Sequence, residues 1–447
     1  MYENCLIFLC LKLFKMKICL FLFFSLSLVR VVAQTDEVVL ERKLYDLPDL
    51  AFKKVSTASD PYLKYELTIR QPLDHQHPEK GSFYQHAVLL HKGFDHPTVM
   101  ETQGYSLYPG RNELEKILDA NDLNIEYRFY GKSLPDSMQW EYLTIEQATA
   151  DLHAINLLFR NIYKGKWVST GISKGGETTL YYKYFFPADV DLSVPYVAPL
   201  DNSMEDLRIY HFFDTIGTAE CRAKIRAAQV FLLQHETEAV EKLKWYARGA
   251  GLHFSYTGSI GKSFEYAVLE YPFAFWQYNG QCDSLPTGKN LDDYVESLIK
   301  VSDLSGFADE GIVPFVAHYY QAATQSGYYA YNIAPFRKYL RYFTSNPSAT
   351  FPPKGVAMKP FDPGLNARVA QWLADSGNNI LYIYGGIDTW TSAGIVVSDK
   401  VNSKRFVVPG ATHATARFRN MSPAMQQEFA ERAKALAGLT VDAGALR

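Results

Sequence analysis

The run Trp167-Val-Ser-Thr-Gly-Ile-Ser-Lys-Gly-Gly176 constrains this chain more than any other feature. An apolar strand pattern runs into G-x-S-x-G, and a helix pattern, Gly176–Tyr182, follows directly. A strand that turns sharply into a helix with Ser at its apex needs Gly on either side, because a side chain there would collide inside the turn. That setting belongs to a parallel sheet flanked by helices, and the surrounding pattern agrees. Strand-like runs cover Tyr62–Pro72, Ser82–Leu90, Pro97–Thr102, Leu123–Tyr130, Lys166–Ile172 and 190–198. Helical spacing covers Asn112–Ala120, Thr144–Ile162 and 174–186.

The alternation stops after Pro199. Residues 202–245 read as helices, with Ala223–Leu243 the longest stretch, and Tyr294–Val301 and Ile312–Ala323 read as helices too. Strands return at Asn379–Tyr384 and Lys404–Val408, and a helix over Ala424–Ala437 closes the chain. The expected organisation is one α/β domain, 34–200 and 377–447, interrupted by a mostly helical insertion over 201–376.

Residues 1–33 read as a cleaved export signal. Lys12, Lys15 and Lys17 precede the apolar run Ile18–Val29, and Val31-Val-Ala33 supplies small residues for cleavage. Met16 offers an alternative start. The run is short for a membrane span and Arg30 interrupts it, so no membrane association is expected after cleavage. A secreted or periplasmic location follows. The mature chain keeps Cys221 and Cys282, either paired, as an oxidising compartment permits, or as two buried thiols. With 45 Lys plus Arg against 48 Asp plus Glu there is no basic excess, so nucleic acid is not an expected partner. No phosphate loop or dinucleotide fingerprint is present, so no cofactor is expected. His75-Gln76-His77 sits in a polar turn and reads as solvated, so no metal is expected either.

Ser173 needs a base at neutral pH. Of the His residues after it, His211, His235, His253 and His318 fall in the insertion, and only His413 falls in the returning α/β portion, just past the last strand. The carboxylates between 378 and 413 are Asp388 and Asp399. Asp388 follows a strand directly, at the carboxyl end where such residues gather, whereas Asp399 lies in a connecting segment. The order Ser173, Asp388, His413 is that of an α/β-hydrolase, here with a large helical cap inserted before the acidic residue. Two backbone N–H groups must hold the oxyanion. Lys174, next to the nucleophile, and Tyr105, in the loop Gln103-Gly104-Tyr105 after the third strand, are the expected donors.

Several motifs then resemble a known family in order along residues 60 to 420: Gln71-Pro-Leu-Asp-His75, Gln103-Gly-Tyr105, Glu126-Tyr-Arg-Phe-Tyr-Gly131, Tyr142-Leu-Thr-Ile-Glu-Gln147 leading to Asp151, Gly171-Ile-Ser-Lys-Gly-Gly176, Tyr319-Tyr-Gln-Ala-Ala-Thr324, Tyr384-Gly-Gly-Ile-Asp-Thr-Trp390 and His413. The chain resembles the secreted bacterial serine tripeptidyl aminopeptidases, distantly similar to the prolyl carboxypeptidase and dipeptidyl peptidase group. The resemblance implies release of tri- or tetrapeptides from free N-termini, after proline in some members, under a helical cap. Two positions depart from the family pattern. Many relatives carry Asp-Pro-Trp where this chain has Asp388-Thr389-Trp390. Some carry an acid after the cap threonine, where this chain has Gln325. If that acid holds the substrate amine, amine recognition is weakened or moved here.

A substrate ammonium calls for an anion, and Glu126, Glu177, Asp309 and Glu310 are available. Each also has a structural reading: Glu126 pairing with Arg128 on the sheet, Asp309-Glu310 as a solvated loop. The aromatics Tyr319-Tyr320 and Tyr328-Tyr329-Ala-Tyr331, and the segment Tyr271–Tyr278, fit either a proline pocket or the cap's own core. The expectation is an exported serine exopeptidase acting on peptides. Its rivals are an esterase or lipase on the same triad, a prolyl carboxypeptidase-like enzyme, and a binding protein on an inactive hydrolase scaffold.

Overall fold

The computed structural model describes residues 35–58, 60–108 and 110–446, so the export segment expected over 1–33 lies outside them. The chain divides into two units between Leu47 and Pro48. Of the first, the described part is helix α1, Asp36–Tyr45, with acids in its first turn and Arg42 and Lys43 in its last, the order the helix dipole favours.

The second unit is built on a nine-stranded sheet: β1 Leu50–Lys54, β2 Leu63–Pro72, β3 Ser82–His91, β4 Thr98–Thr102, β5 Asn121–Ile125, β6 Trp167–Ile172, β7 Leu192–Tyr196, β8 Leu381–Gly385 and β9 Lys404–Val408. Their order across the sheet is β1-β2-β3-β5-β4-β6-β7-β8-β9. The first three strands and β5 pair antiparallel, and from β5 onward every pair is parallel. Burial follows topology. β2 alternates buried and exposed positions, as a sheet with one wet face does, whereas every residue of β4, β5, β7 and β8 is buried.

Helices cover both faces. Helix α2 (Glu113–Ile117) packs on one face. Helices α3 (Ile145–Phe159) and α4 (Lys174–Phe185) lie on the other. The insertion carries α5 (Leu207–Thr215), α6 (Ala219–Gln234), α7 (Glu236–Ala250), α8 (Ile260–Ala274), α9 (Leu291–Ser302) and two short helices, α10 (Asp309–Ile312) and α11 (Val316–Gln321). Helix α12 (Gly364–Asp375) returns to the sheet and buries Leu365, Val369 and Leu373 with Leu180 and Tyr382, and α13 (Pro423–Ala437) covers the opposite face with Phe429 and Ala433. The chain is therefore an α/β-hydrolase with a mostly helical cap between β7 and β8. β4 lies between β5 on one side and β6 on the other, so the chain reverses direction across the sheet there. The loops after β4 and β6 flank that switch point, where ligands of open α/β sheets bind.

Four elements differ from the sequence pattern for identifiable reasons. The strand expected to reach Tyr130 stops at Ile125, where its pairing with Ala87 of β3 and Thr102 of β4 ends, and beyond it Phe129 takes a positive φ of 66° and Arg128 is fully buried. The long helix expected over Ala223–Leu243 breaks at His235. β1 is a short edge strand with little periodicity of its own. Helix α8 runs through Pro272, which lacks the N–H that would bond the carbonyl of Val268. Gln229 of α6 supplies the missing donor, its Nε2 lying 2.9 Å from Val268 O. A disulfide joins Cys221 in α6 to Cys282 beyond α8, closing a separation of 61 residues. Of the two sequence alternatives for these cysteines, the paired one is present. In the chain-entropy account a loop of that size contributes about 4 kcal/mol.

Arg128 pairs with Asp151, not with Glu126 as expected. Its Nε and Nη2 donate to the two carboxylate oxygens at 2.7 and 2.8 Å, with both residues fully buried. Its remaining donors reach Leu73 O and Pro72 O, and His75 Nε2 adds a contact of 2.7 Å to Asp151 Oδ1, so His75 is not a solvated turn residue. Breaking such a pair strands a charge in the interior. Arg128→Leu is expected to lower unfolding stability by about 3–5 kcal/mol, read from the urea midpoint at constant m. A loss under 1 kcal/mol would show that the carboxylate finds water or another partner.

Candidate active site

The elbow has the geometry that its glycines anticipate. Ser173 sits between β6 and α4 at φ 59° and ψ −122°, a region an L-residue occupies at a cost of about 1–3 kcal/mol. Its N–H donates to Tyr196 O at 2.9 Å and its carbonyl accepts from Glu177 N at 2.8 Å, which hold the turn. A Cβ on Gly171 would come within 2.3 Å of the Gly175 backbone, and one on Gly176 within 2.6 Å of Tyr196 O. Strand and helix can meet only where those side chains are missing. Thr102 clamps the underside, its hydroxyl 2.9 Å from Gly175 O.

The loops after β8 and β9 carry Asp388 and His413. A Cβ on Gly385 would lie 2.5 Å from Ala411 O, so glycine lets the two loops touch. Asp388 is fully buried and caps the short helical turn Thr389–Ala393, with Oδ1 accepting from Trp390 N at 3.2 Å. Its Oδ2 lies 2.8 Å from His413 Nδ1. A carboxylate only accepts, so Nδ1 holds the proton and Nε2 is left with its lone pair. Ser173 shares a cavity lining with Ala414, the neighbour of His413. Among the described residues Ser173 Oγ forms no hydrogen bond, a looseness common in sites without substrate.

Lys174 and Tyr105 meet beside Ser173. A Cβ on Gly104 would collide with the Lys174 side chain at 2.5 Å, so the loop after β4 runs directly against the start of α4. The Lys174 N–H is a first-turn amide at the positive end of a 12-residue helix. The Tyr105 N–H likewise donates to no backbone carbonyl among the described residues. The Lys174 side chain is turned away, with Nζ 3.0 Å from Gln321 Oε1 and over the Tyr127 ring. Burial pushes its ammonium down and the nearby Glu177 carboxyl up.

A cavity of about 720 Å³ opens over Ser173, roofed by the cap and lined by Glu177, Asp201, Glu270, His318 and Trp390 among others. Of the substrate candidates read from the sequence, Glu177, Tyr328 and Tyr329 line this cavity, whereas Glu126, Gln325 and Tyr320 lie elsewhere. Glu126 accepts from Ser133 Oγ at 2.7 Å and from the backbone N–H groups of Lys132 and Leu107, so its carboxylate is spent on loop amides. Gln325 accepts from Ile145 N and donates to Glu146 at the start of α3. Tyr320 packs on Trp140. Asp309 and Glu310 are not free either; they bond the segment His253–Tyr256. What sequence reasoning missed is Asp201 and Glu270. For Glu270 a signal existed: Glu270, Phe273, Ala274 and Gln277 recur at i, i+3, i+4 and i+7, and all four line the cavity.

Helix α8 is anchored to both loops. From Phe275 to Asn279 it widens into a π turn, which frees carbonyls from the regular ladder. Phe273 O accepts from the Thr389 hydroxyl at 3.0 Å, and Gln277 O accepts from His413 N at 2.9 Å. The Thr at 389, a departure from the family pattern, therefore ties the acid loop to the cap. Proline could not make that bond.

A model of the family described as PS-10 peptidase S37 matches residues 33–443. A prolyl tri/tetrapeptidyl aminopeptidase of Streptomyces mobaraensis is 35% identical over 367 residues, 79% of this chain and 77% of that protein. Among solved structures, VinJ aligns at 12% identity over 86% of this chain and 99% of its own, with a TM-score of 0.39. A proline iminopeptidase of Mycobacterium smegmatis aligns at 13% identity over 86% and 96%, with a TM-score of 0.37.

Proposed function

Because the chain belongs to the PS-10 peptidase S37 family and is a serine peptidase, we propose that it releases peptides of three or four residues from free N-termini by acyl-enzyme catalysis. Ser173 Oγ attacks the carbonyl of the bond to be cut. His413 Nε2 takes the hydroxyl proton, and the imidazolium so formed is held by Asp388 through Nδ1–H. The Lys174 and Tyr105 N–H groups receive the oxyanion. His413 then gives its proton to the leaving amine, and the C–N bond breaks. Water repeats the sequence on the acyl-enzyme, frees the short peptide and restores Ser173.

The observation that carries the chemistry is the 2.8 Å contact between His413 Nδ1 and buried Asp388, which leaves the Nε2 lone pair unspent on the acid. The exopeptidase part is supported by the Streptomyces relative and by the cap over Ser173. Export is supported by the signal pattern in residues 1–33 and by the Cys221–Cys282 bond, since disulfides persist in oxidising compartments. Among the described residues no helix is long and apolar enough to cross a membrane.

The test is hydrolysis of fluorogenic Ala-Ala-Pro amide with a free or an acetylated N-terminus. Cleavage of the free form at least about 100-fold faster in kcat/KM is expected, the scale of one buried charge pair. Equal cleavage of both would overturn the aminopeptidase reading.

A further inference from the structure

Helix α8 and its π turn line one side of the cavity. The inference drawn from it rests on the aminopeptidase reading above. One end of its cavity face is fixed at the chemistry, through Gln277 O on His413 N and Phe273 O on Thr389. The other end is Glu270, seven residues earlier. The Glu270 carboxylate is buried and accepts from Tyr331 at 2.8 Å and from Tyr329 at 3.0 Å. It makes no ion pair among the described residues. The two lysines lining the cavity serve other groups: Lys174 holds Gln321, and Lys300 pairs with Glu296 at 2.6 Å.

Residues of the same cavity wall carry buried polar atoms without hydrogen-bond partners among the described residues. These are Asp201 Oδ1, Ser302 Oγ and both ring nitrogens of His318, on residues only 2%, 7% and 6% exposed. Buried polar groups are ordinarily bonded, so unpaired ones on residues of the cavity wall make this wall a place for a polar ligand. Burial also pushes the Glu270 carboxyl up to about 8, and an entering cation would bring it back to its charged form.

We propose that Glu270 receives the substrate's terminal ammonium, and that its spacing from Gln277 along α8 sets the released peptide at three residues. Seven helical residues at 1.5 Å each span about 10 Å. Three extended residues span roughly 10 Å, two roughly 7 Å and four roughly 13–14 Å. Glu177 is too close to do the same. It lies one turn from Ser173 on α4 and is engaged by Tyr181 and the Lys174 charge. The cation the site selects is thus the primary or secondary ammonium of a peptide, presented about three residues from the cut bond.

The test uses fluorogenic amides of Pro, Ala-Pro, Ala-Ala-Pro and Ala-Ala-Ala-Pro, each free and acetylated, with the intact enzyme, Glu270→Gln and Glu270→Asp. Glu270→Gln is expected to raise KM for the free tripeptidyl substrate about 100-fold, to change kcat far less, and to erase the preference for free over acetylated N-termini. Glu270→Asp draws the carboxylate back by one methylene and shifts the optimum toward the tetrapeptidyl substrate. Melting curves establish that each variant is folded, and if Glu270→Gln is not, Glu270→Asp decides alone. A folded Glu270→Gln that keeps both the free-amine preference and the length optimum overturns the assignment and leaves the aminopeptidase reading intact. An unchanged length optimum in Glu270→Asp overturns the ruler. An unmodified enzyme that does not distinguish free from acetylated substrates overturns the reading beneath, and the ruler with it.

Discussion

Replacing Ser173 by Ala lowers kcat for tripeptidyl amide by a factor on the order of 10⁴–10⁶ and leaves KM nearly unchanged. On the proposed mechanism, removing Oγ removes the atom that forms the acyl-enzyme, while the cavity walls stay where they are. The residual turnover expected is that of the proposed oxyanion donors, the Lys174 and Tyr105 amides, acting on bound substrate and water. Stability barely moves, because Ala at φ 59° carries the same backbone strain as Ser and Ser173 Oγ has no hydrogen bond to lose among the described residues. Glycine at this position would relieve that strain, so Ser173→Gly is equally inactive but melts higher. Single-turnover kinetics and melting curves on the two variants check this. Activity within 100-fold of the parent would place the nucleophile elsewhere.

Asp388→Asn lowers kcat by about 10⁴ without unfolding the site. The Asn carbonyl still caps Trp390 N, the bond Oδ1 makes now at 3.2 Å. The other end of the amide is a donor where His413 Nδ1 needs an acceptor. The imidazole turns to the tautomer with its proton on Nε2, which cannot take the Ser173 proton. Nothing then balances the imidazolium in a pocket where Asp388 is fully buried. A drop smaller than 10-fold would show that another group orients His413. The sequence leaves Asp399 as the other carboxylate between 378 and 413, and it is exposed beyond the loop.

The parts of the fold that sequence made legible are those whose reasons are local. The elbow is a steric problem confined to six residues, Gly171–Gly176, and strand–helix alternation identifies the sheet around it. Helix α8 was illegible for the opposite reason. Pro272 argues against a helix, and only Gln229, 43 residues upstream, removes the objection by bonding Val268 O. Carboxylate roles are equally non-local. Glu126 resembles a candidate anchor until the amides of Leu107 and Lys132 are seen to converge on it. Gln325 draws attention as a departure from the family pattern, yet it serves the first turn of α3. Asp388 and His413 stand out in the sequence by their places after the last two strands, and those strands are parallel neighbours with touching loops.

The two carbonyls that α8 spends on Thr389 and His413 make the cap and the reacting loops a single frame. Such a roof cannot be exchanged as a module. A chimera carrying a foreign cap across 201–363 would begin without the bonds that seat both loops, and would fail in rate before it failed in recognition. Diversification of what the enzyme accepts is therefore channelled into side chains on the cavity face, at 270, 273 and 274, where substitution spares the backbone oxygens. Laboratory evolution of this scaffold should randomise those positions and leave the segment between them and His413 at its present length.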